Sequence, residues 1–346
     1  MPDPAQFPAR AVVPDVPRIG YDVHLCPLPG ALYALLEYIG DPTDYDYLMG
    51  VTGACFRRIW NRDDGGNVDL MYLAPDPYER AFAALGYEFR TVPRDDKAAM
   101  IQAIKQSVAQ SIPVLSFVLV GPPEASLVTG YDQDGETLTG WSYFQDQRDH
   151  YCEVPGWFEA LPQGAPAGLI VLGDKKPERP TDRETLISSL KWAIDLARKP
   201  ERPGIPQHPS GLAAYDAWAD GLEVDADYPD DDPKVMETRV MIHGDQCVML
   251  AERKCAASFL RQMAMAVPDV ADPLEAAASL YEQAADPGPV QVGWDWTDGA
   301  TQQALARPGL RRQIAASIRV AHGKEAQAVE WLEKALAALQ AAKGPQ

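Results

Sequence analysis

The chain holds 346 residues, with 31 Lys and Arg against 50 Asp and Glu, a formal charge of -19. Apolar residues at 46% and charged residues at 23% are ordinary globular values, which exclude wholesale disorder and a collagen-like chain. The acid excess argues against nucleic acid and against an anionic membrane surface, because both call for clustered Lys and Arg and no basic stripe occurs.

At about 150 residues per domain the length suits two domains. No window reaches the run of about 18 apolar residues that a membrane helix needs. The N-terminus is Pro-rich without the continuous apolar core of a signal peptide. Cys26, Cys55, Cys152, Cys247 and Cys255 include no CxxC pair, so the expectation is a reduced, cytoplasmic protein with no cofactor.

Taken in order, residues 1–20 hold five prolines and predict an extended arm. Residues 21–175 mix helix and strand signals. Cys26-Pro27-Leu28-Pro29 opens an apolar helix through Leu32, Leu35, Leu36 and Ile39, stopped by Gly40-Asp41-Pro42. Further helices are expected over 78–85 and 95–110, the latter with Met100, Ile101, Ile104 and Val108 on one face. The apolar run 113–120 predicts a buried strand, and 126–131 pairs with 136–144 through the turn Asp132-Gln133-Asp134-Gly135. A last strand falls at 168–172. Residues 174–180 are charged, Pro-containing and linker-like. From 181 to 346 only helical patterns appear, the first capped by Thr181 to Arg183 and reading Leu186, Leu190, Ile194 and Leu196, the rest at 212–222, 233–265, 272–285, 300–322 and 324–342. The expected fold class is therefore α+β, a small antiparallel sheet domain followed by an all-helical domain.

Cys26 stands where a nucleophilic thiol would be favoured, at a helix entry whose open N–H groups and dipole stabilise a thiolate. Its other reading is a small buried apolar side chain. A thiol nucleophile needs a base. His24 lies two residues away and His150 follows the hairpin, so both are candidates, whereas His243 and His322 read as core or surface histidines of the helical half. Metal ligation finds no support, since the His-x-Cys pairs lack a second pair at zinc spacing and no HExxH occurs. No glycine-rich phosphate cradle is present either. Aromatic residues crowd the first half, and Tyr47, Trp60 and Trp141 are candidates for the wall of a ligand pocket. Asn61 and Asn67 flank an Asp-Asp-Gly-Gly loop and are candidate polar contacts.

Cys26 with Leu32-Tyr33-Ala34-Leu35-Leu36, the strand Val114 to Val120, Leu127-Val128-Thr129-Gly130-Tyr131-Asp132 and the return strand Leu138 to Ser142 form a pattern. It resembles the papain-like fold of C39-type cysteine peptidases, and more closely the N-terminal domain of the butirosin biosynthesis protein H family of bacteria. The resemblance implies thiol-dependent acyl transfer or amide cleavage. It places the family's histidine at Glu124 and its orienting Asp or Asn at Gly140-Trp141-Ser142, and residues 18–25 hold no oxyanion-hole glutamine. Glu124 thereby joins Cys26, His24 and His150 as a candidate for the chemistry.

Two functional readings follow. One is acyl transfer or amide hydrolysis at a degenerate papain-like site; the other is an inactive relative that binds a small molecule or peptide in the cleft between the two halves. A third is an interaction protein, with homo-oligomerisation through the helical domain as the expected association.

Overall fold

A computed structural model describes residues 7–63, 69–117, 119–159, 168–202, 208–293, 295 and 297–341. The fold is α+β, and the chain divides into two compact units. The first takes residues 1–48 and 70–180, the second 49–69 and 181–346. No helix among the described residues is long and apolar enough to cross a membrane.

The first unit is built on one antiparallel sheet. Its strands are β1 (Ala11–Val12), β2 (Tyr87–Val92), β3 (Val114–Ser116), β4 (Ser126–Asp132), β5 (Thr137–Trp141), β6 (Cys152–Pro155) and β7 (Leu169–Lys175). The order is β2-β7-β3-β4-β5-β6, with β1 paired to β4. β3 takes the first half of β4, setting Val114 opposite Val128, while β1 takes the second half, setting Val12 opposite Gly130. The Pro-rich arm is thus part of the sheet, and Val13, Val16 and Ile19 are buried. The predicted turn is present, with Asp132 Oδ1 accepting the Gln133 N–H at 2.6 Å and Gln133, Asp134 and Gly135 all at positive φ. The apolar run after Pro113 stays in the sheet only to Ser116.

Among the described residues of the first 110, five α-helices begin: α1 (Pro27–Tyr38), α2 (Tyr45–Thr52), α3 (Leu70–Leu73), α4 (Asp76–Leu85) and α5 (Lys97–Ala109). α1 packs on β3 and β4, and α5 on β1, β2, β3, β4 and β7. α1 starts with two prolines in its first turn, and Gly40 at φ 76° follows its end. These are positions where a missing N–H and a left-handed conformation cost least. Asp96 caps α5 by accepting the Ala99 N–H at 2.9 Å.

The second unit is helical: α6 (Asp182–Arg198), α7 (Leu212–Leu222), α8 (Pro233–Ala251), α9 (Arg253–Ala266), α10 (Ala271–Ala285), α11 (Gly299–Ala306) and α12 (Pro308–Ala341). Thr181 and Glu184 form a reciprocal capping box at the start of α6. α12 packs against α6, α7 and α10 along Ile314, Ile318, Ala321, Ala328, Leu332, Ala335 and Leu339, a spacing that keeps one face turned inward. Residues 49–69 complete this unit. The Phe259 ring leaves no room for a Cβ on Gly50, and Phe56 meets Tyr281 edge-on at 5.5 Å. Among its described residues the exposed large apolar ones are Met265 and Val320.

Charge is buried deep in this second unit. Arg253 donates to both carboxylate oxygens of Glu325 and to the carbonyls of Arg57 and Met249. Tyr215 donates to the same Glu325. Arg57 is held by Asp69 and Glu252, and Arg58 donates to Gln246 while lying 4.1 Å from the Tyr215 ring centroid. His243 is buried as a neutral imidazole: Nε2 lies 2.8 Å from the Val290 carbonyl and Nδ1 accepts the Trp218 indole N–H, which fixes the proton on Nε2. His322 stacks on Tyr215, with Nδ1 3.0 Å from Asp216. His243 is thus a core histidine, and His322 is half-buried.

Candidate functional site

Cys26 is the N-cap residue of α1, in extended backbone and with 0% exposure. Its side chain makes no capping hydrogen bond. Its own N–H donates to the Tyr45 hydroxyl at 3.1 Å. The next positions along the helix entry, Pro27 and Pro29, have no N–H to offer. Gly30 turns its N–H back to the Cys26 carbonyl at 3.0 Å. The amides that usually make a helix start attractive to an anion are therefore largely absent or engaged here.

Aromatic rings enclose this entry. His24 stacks on Tyr45, with ring centroids 4.1 Å apart, and tilts against Tyr33 at 4.7 Å. Burial lowers its pKa, opposed by Asp46 and Glu37, so the ring is held further toward its neutral form. Tyr143 reaches over α1 so closely that a Cβ on Gly30 would stand 2.0 Å from its hydroxyl. That hydroxyl is buried without a hydrogen-bond partner. Burial, then the charges of Cys26 and Glu124, push the phenol well above its ordinary pKa and keep its proton in place. Glu124 lies just ahead of β4 and accepts the Tyr21 hydroxyl at 2.6 Å. Tyr21 in turn meets Tyr143 edge-on at 4.9 Å.

The structure thus gathers Cys26, His24 and Glu124 around the start of α1, linked through Tyr21, Tyr45 and Tyr143. His150 is elsewhere. It is exposed and lines a cavity of 530 Å³ together with Trp141. The floor of that cavity is one face of β5 and β6, where Thr139 pairs with Glu153 and Trp141 and Tyr151 follow. Its other side is the arm: the Trp141 indole N–H donates to the Val16 carbonyl at 2.8 Å, and Tyr151 Oη accepts the Val16 N–H and donates to the Val13 carbonyl.

The remaining candidates separate. Trp60 is buried in the core of the helical unit, where its ring covers Gly221. Asn61 folds back to accept the Asp63 N–H, and Asn67 lies outside the described residues. Tyr47 sits half-buried in the first turn of α2, its N–H donated to Asp44. Among the described residues Cys152 and Cys255 are half-buried thiols. Cys152 is 3.2 Å from the Gly140 carbonyl, and burial pushes its pKa to about 11.

Sequence reasoning placed Cys26 at its helix entry but gave no role to Tyr21, Tyr45, Tyr143 or Gly30. The glycine was the available signal, since Gly in the first turns of an otherwise apolar helix marks a close approach. Searches against protein-family models and against curated proteins returned no match.

Proposed function

We propose that the first unit is a papain-like domain that binds a small molecule or peptide and performs no acyl transfer on it. The carrying observation is the Cys26 amide. A tetrahedral oxyanion on a thiol ester needs N–H donors aimed at it, and loss of one such donor costs about 100-fold or more in rate. In this chain the amide of Cys26 faces the Tyr45 hydroxyl, and Pro27 and Pro29 supply none. The thiol is fully buried, and the group standing where the family has its histidine, Glu124, accepts a hydrogen bond from Tyr21. A carboxylate in that place disfavours a second anion beside it, whereas an imidazolium would stabilise one.

The test is alkylation of the native protein over pH 6 to 10, read cysteine by cysteine with peptide mass spectrometry. Cys255, half-buried, serves as the reactive reference. Cys26 is expected to stay unmodified until the protein unfolds. Rapid labelling with an apparent pKa below about 7.5, well under the ordinary thiol value, would restore the acyl-transfer reading.

A further inference from the structure

We infer that the cavity between the arm and β5–β6 binds a cationic amine or guanidinium carried on an apolar or aromatic body. This deepens the binding reading above and rests on it. The cavity volume, 530 Å³, lies within the range of about 300–1,000 Å³ typical of small-molecule sites. Its aromatic corner is held rigidly: Trp141 and Tyr151 cross at 81° with centroids 4.9 Å apart, and each is hydrogen-bonded to the arm. Such rings attract a cation through their electron-rich faces.

Charge points the same way. Asp15, Asp149 and Glu153 line the cavity against one lining guanidinium, that of Arg10, while Arg18, bonded to Asp22, is near enough to interact with Asp149. Arg10 is itself divided between Asp132 at 3.5 Å and Glu153 at 3.9 Å, so it does not neutralise the rim. An independent feature lies on the floor. Thr139 is 4% exposed, and its hydroxyl has no hydrogen-bond partner. That hydroxyl lies against Gly130 of β4, so a rotation about χ1 would bring it to the cavity, where a polar ligand atom would remove the cost of leaving it unpaired. The pairing of Thr139 with Glu153 places that hydroxyl-bearing residue and a rim carboxylate on neighbouring strands at the same level.

The experiment compares three probes of similar shape on the full chain: phenethylammonium, neutral 2-phenylethanol and anionic 3-phenylpropionate. Binding is followed by NMR at the indole N–H of Trp141, assigned with Trp141→Phe, and by calorimetry. Phenethylammonium is expected to shift that resonance and to bind about five- to tenfold tighter than 2-phenylethanol, a preference that falls with added salt. The Asp149→Asn/Glu153→Gln variant, altered only at exposed residues, should lose most of the preference. Thr139→Val should weaken the ammonium several-fold while the protein keeps its melting temperature. If the ammonium binds the variant as tightly as the parent, its attraction is to an acidic chain in general and the inference fails. Equal binding of the neutral probe at Trp141 overturns the cationic class and leaves a binding site standing. No shift with any probe overturns the cavity as a site. The non-catalytic reading fails separately, by thiolate reactivity at Cys26, which none of these probes reports.

Discussion

The two units bury polar groups by opposite means. Around the start of α1 the buried groups are a cysteine, a phenol whose hydroxyl has no partner and a histidine depressed by burial, packed among rings. In the helical unit Arg57, Arg58 and Arg253 are interior residues, met by Asp69, Glu252, Glu325 and the Gln246 side chain. A charge removed from water survives only if a partner of good geometry replaces the solvent. The helical unit supplies such partners to Arg57 and Arg253, whereas Arg58 has Gln246 and the Tyr215 ring and leaves Nε and Nη2 unpaired. At α1 the Cys26 N–H is engaged by the Tyr45 hydroxyl and Pro27 and Pro29 have none to offer, and that loss of donors, more than the presence of a cysteine, carries the binding proposal.

The comparison can be broken most forcefully at Arg253 and Glu325. Glu325→Gln leaves a fully buried guanidinium without its counter-charge and should cost about 3–5 kcal/mol in urea unfolding. Arg253→Met combined with Glu325→Met should cost markedly less than either change alone; equal or additive losses would mean that the pair acts through packing only. At α1 the expected effect is smaller and steric. Gly30→Ala brings a methyl group 2.0 Å from the Tyr143 hydroxyl, for a loss of about 1–3 kcal/mol. Tyr143→Phe should restore most of it in the double variant and be neutral or stabilising by itself, since it removes a buried hydroxyl with no partner.

The finest test is the pH dependence. Burial, then the charge of Asp69, raises the Asp245 carboxyl from 3.8 to about 7 in the folded chain. Between those values the native state holds a proton that the unfolded state has released. Stability from this group is therefore complete below about pH 4 and lost as pH rises toward 7. His243 works against it. Burial lowers its pKa from 6.5 to about 4, so stability is lost as pH falls from 6.5 toward 4. The two largely cancel in the parent chain. Asp245→Asn should expose the histidine alone, giving urea midpoints that climb between about pH 4 and 6.5 and a protein more stable than the parent at pH 8. A flat profile in that variant would remove His243 from the account.

Much of this architecture was legible in the chain because the signals were local. Pro27 and Gly40 frame α1, Asp132 to Gly135 set the hairpin turn, and the segment ending in Pro180 closes the first unit. Elements stabilised by distant partners were not. β2 and β6 are short strands without an unbroken apolar face, and they exist because β7 and β5 pair with them. β1 has only two residues. The helical pattern over 233–265 reads as one rod, yet the chain breaks between α8 and α9 at Glu252, whose carboxylate turns to Arg57. Gly323 looked like a helix boundary, but α12 runs through it; Pro308 instead marks the start, since its ring cannot continue α11. The site shows the same limit. Cys26 announces itself by position, whereas Tyr45 and Tyr143 become its neighbours only through folding.

The membership of residues 49–69 in the helical unit bears on how the molecule is made. The chain leaves the ribosome from its N-terminus, so Arg57 and Arg58 emerge long before their partners, with 195 residues separating Arg57 from Glu252 and 188 separating Arg58 from Gln246. Until α8 and α9 are synthesised, both guanidinium groups stay in water on a segment that interrupts the sequence of the first unit. A fragment cut after Pro180 would carry those cations without Glu252, Glu325 and Gln246, and the complementary fragment the reverse. The core of the second unit accordingly closes only when helices 188 to 195 residues further along the chain meet the segment that carries Arg57 and Arg58.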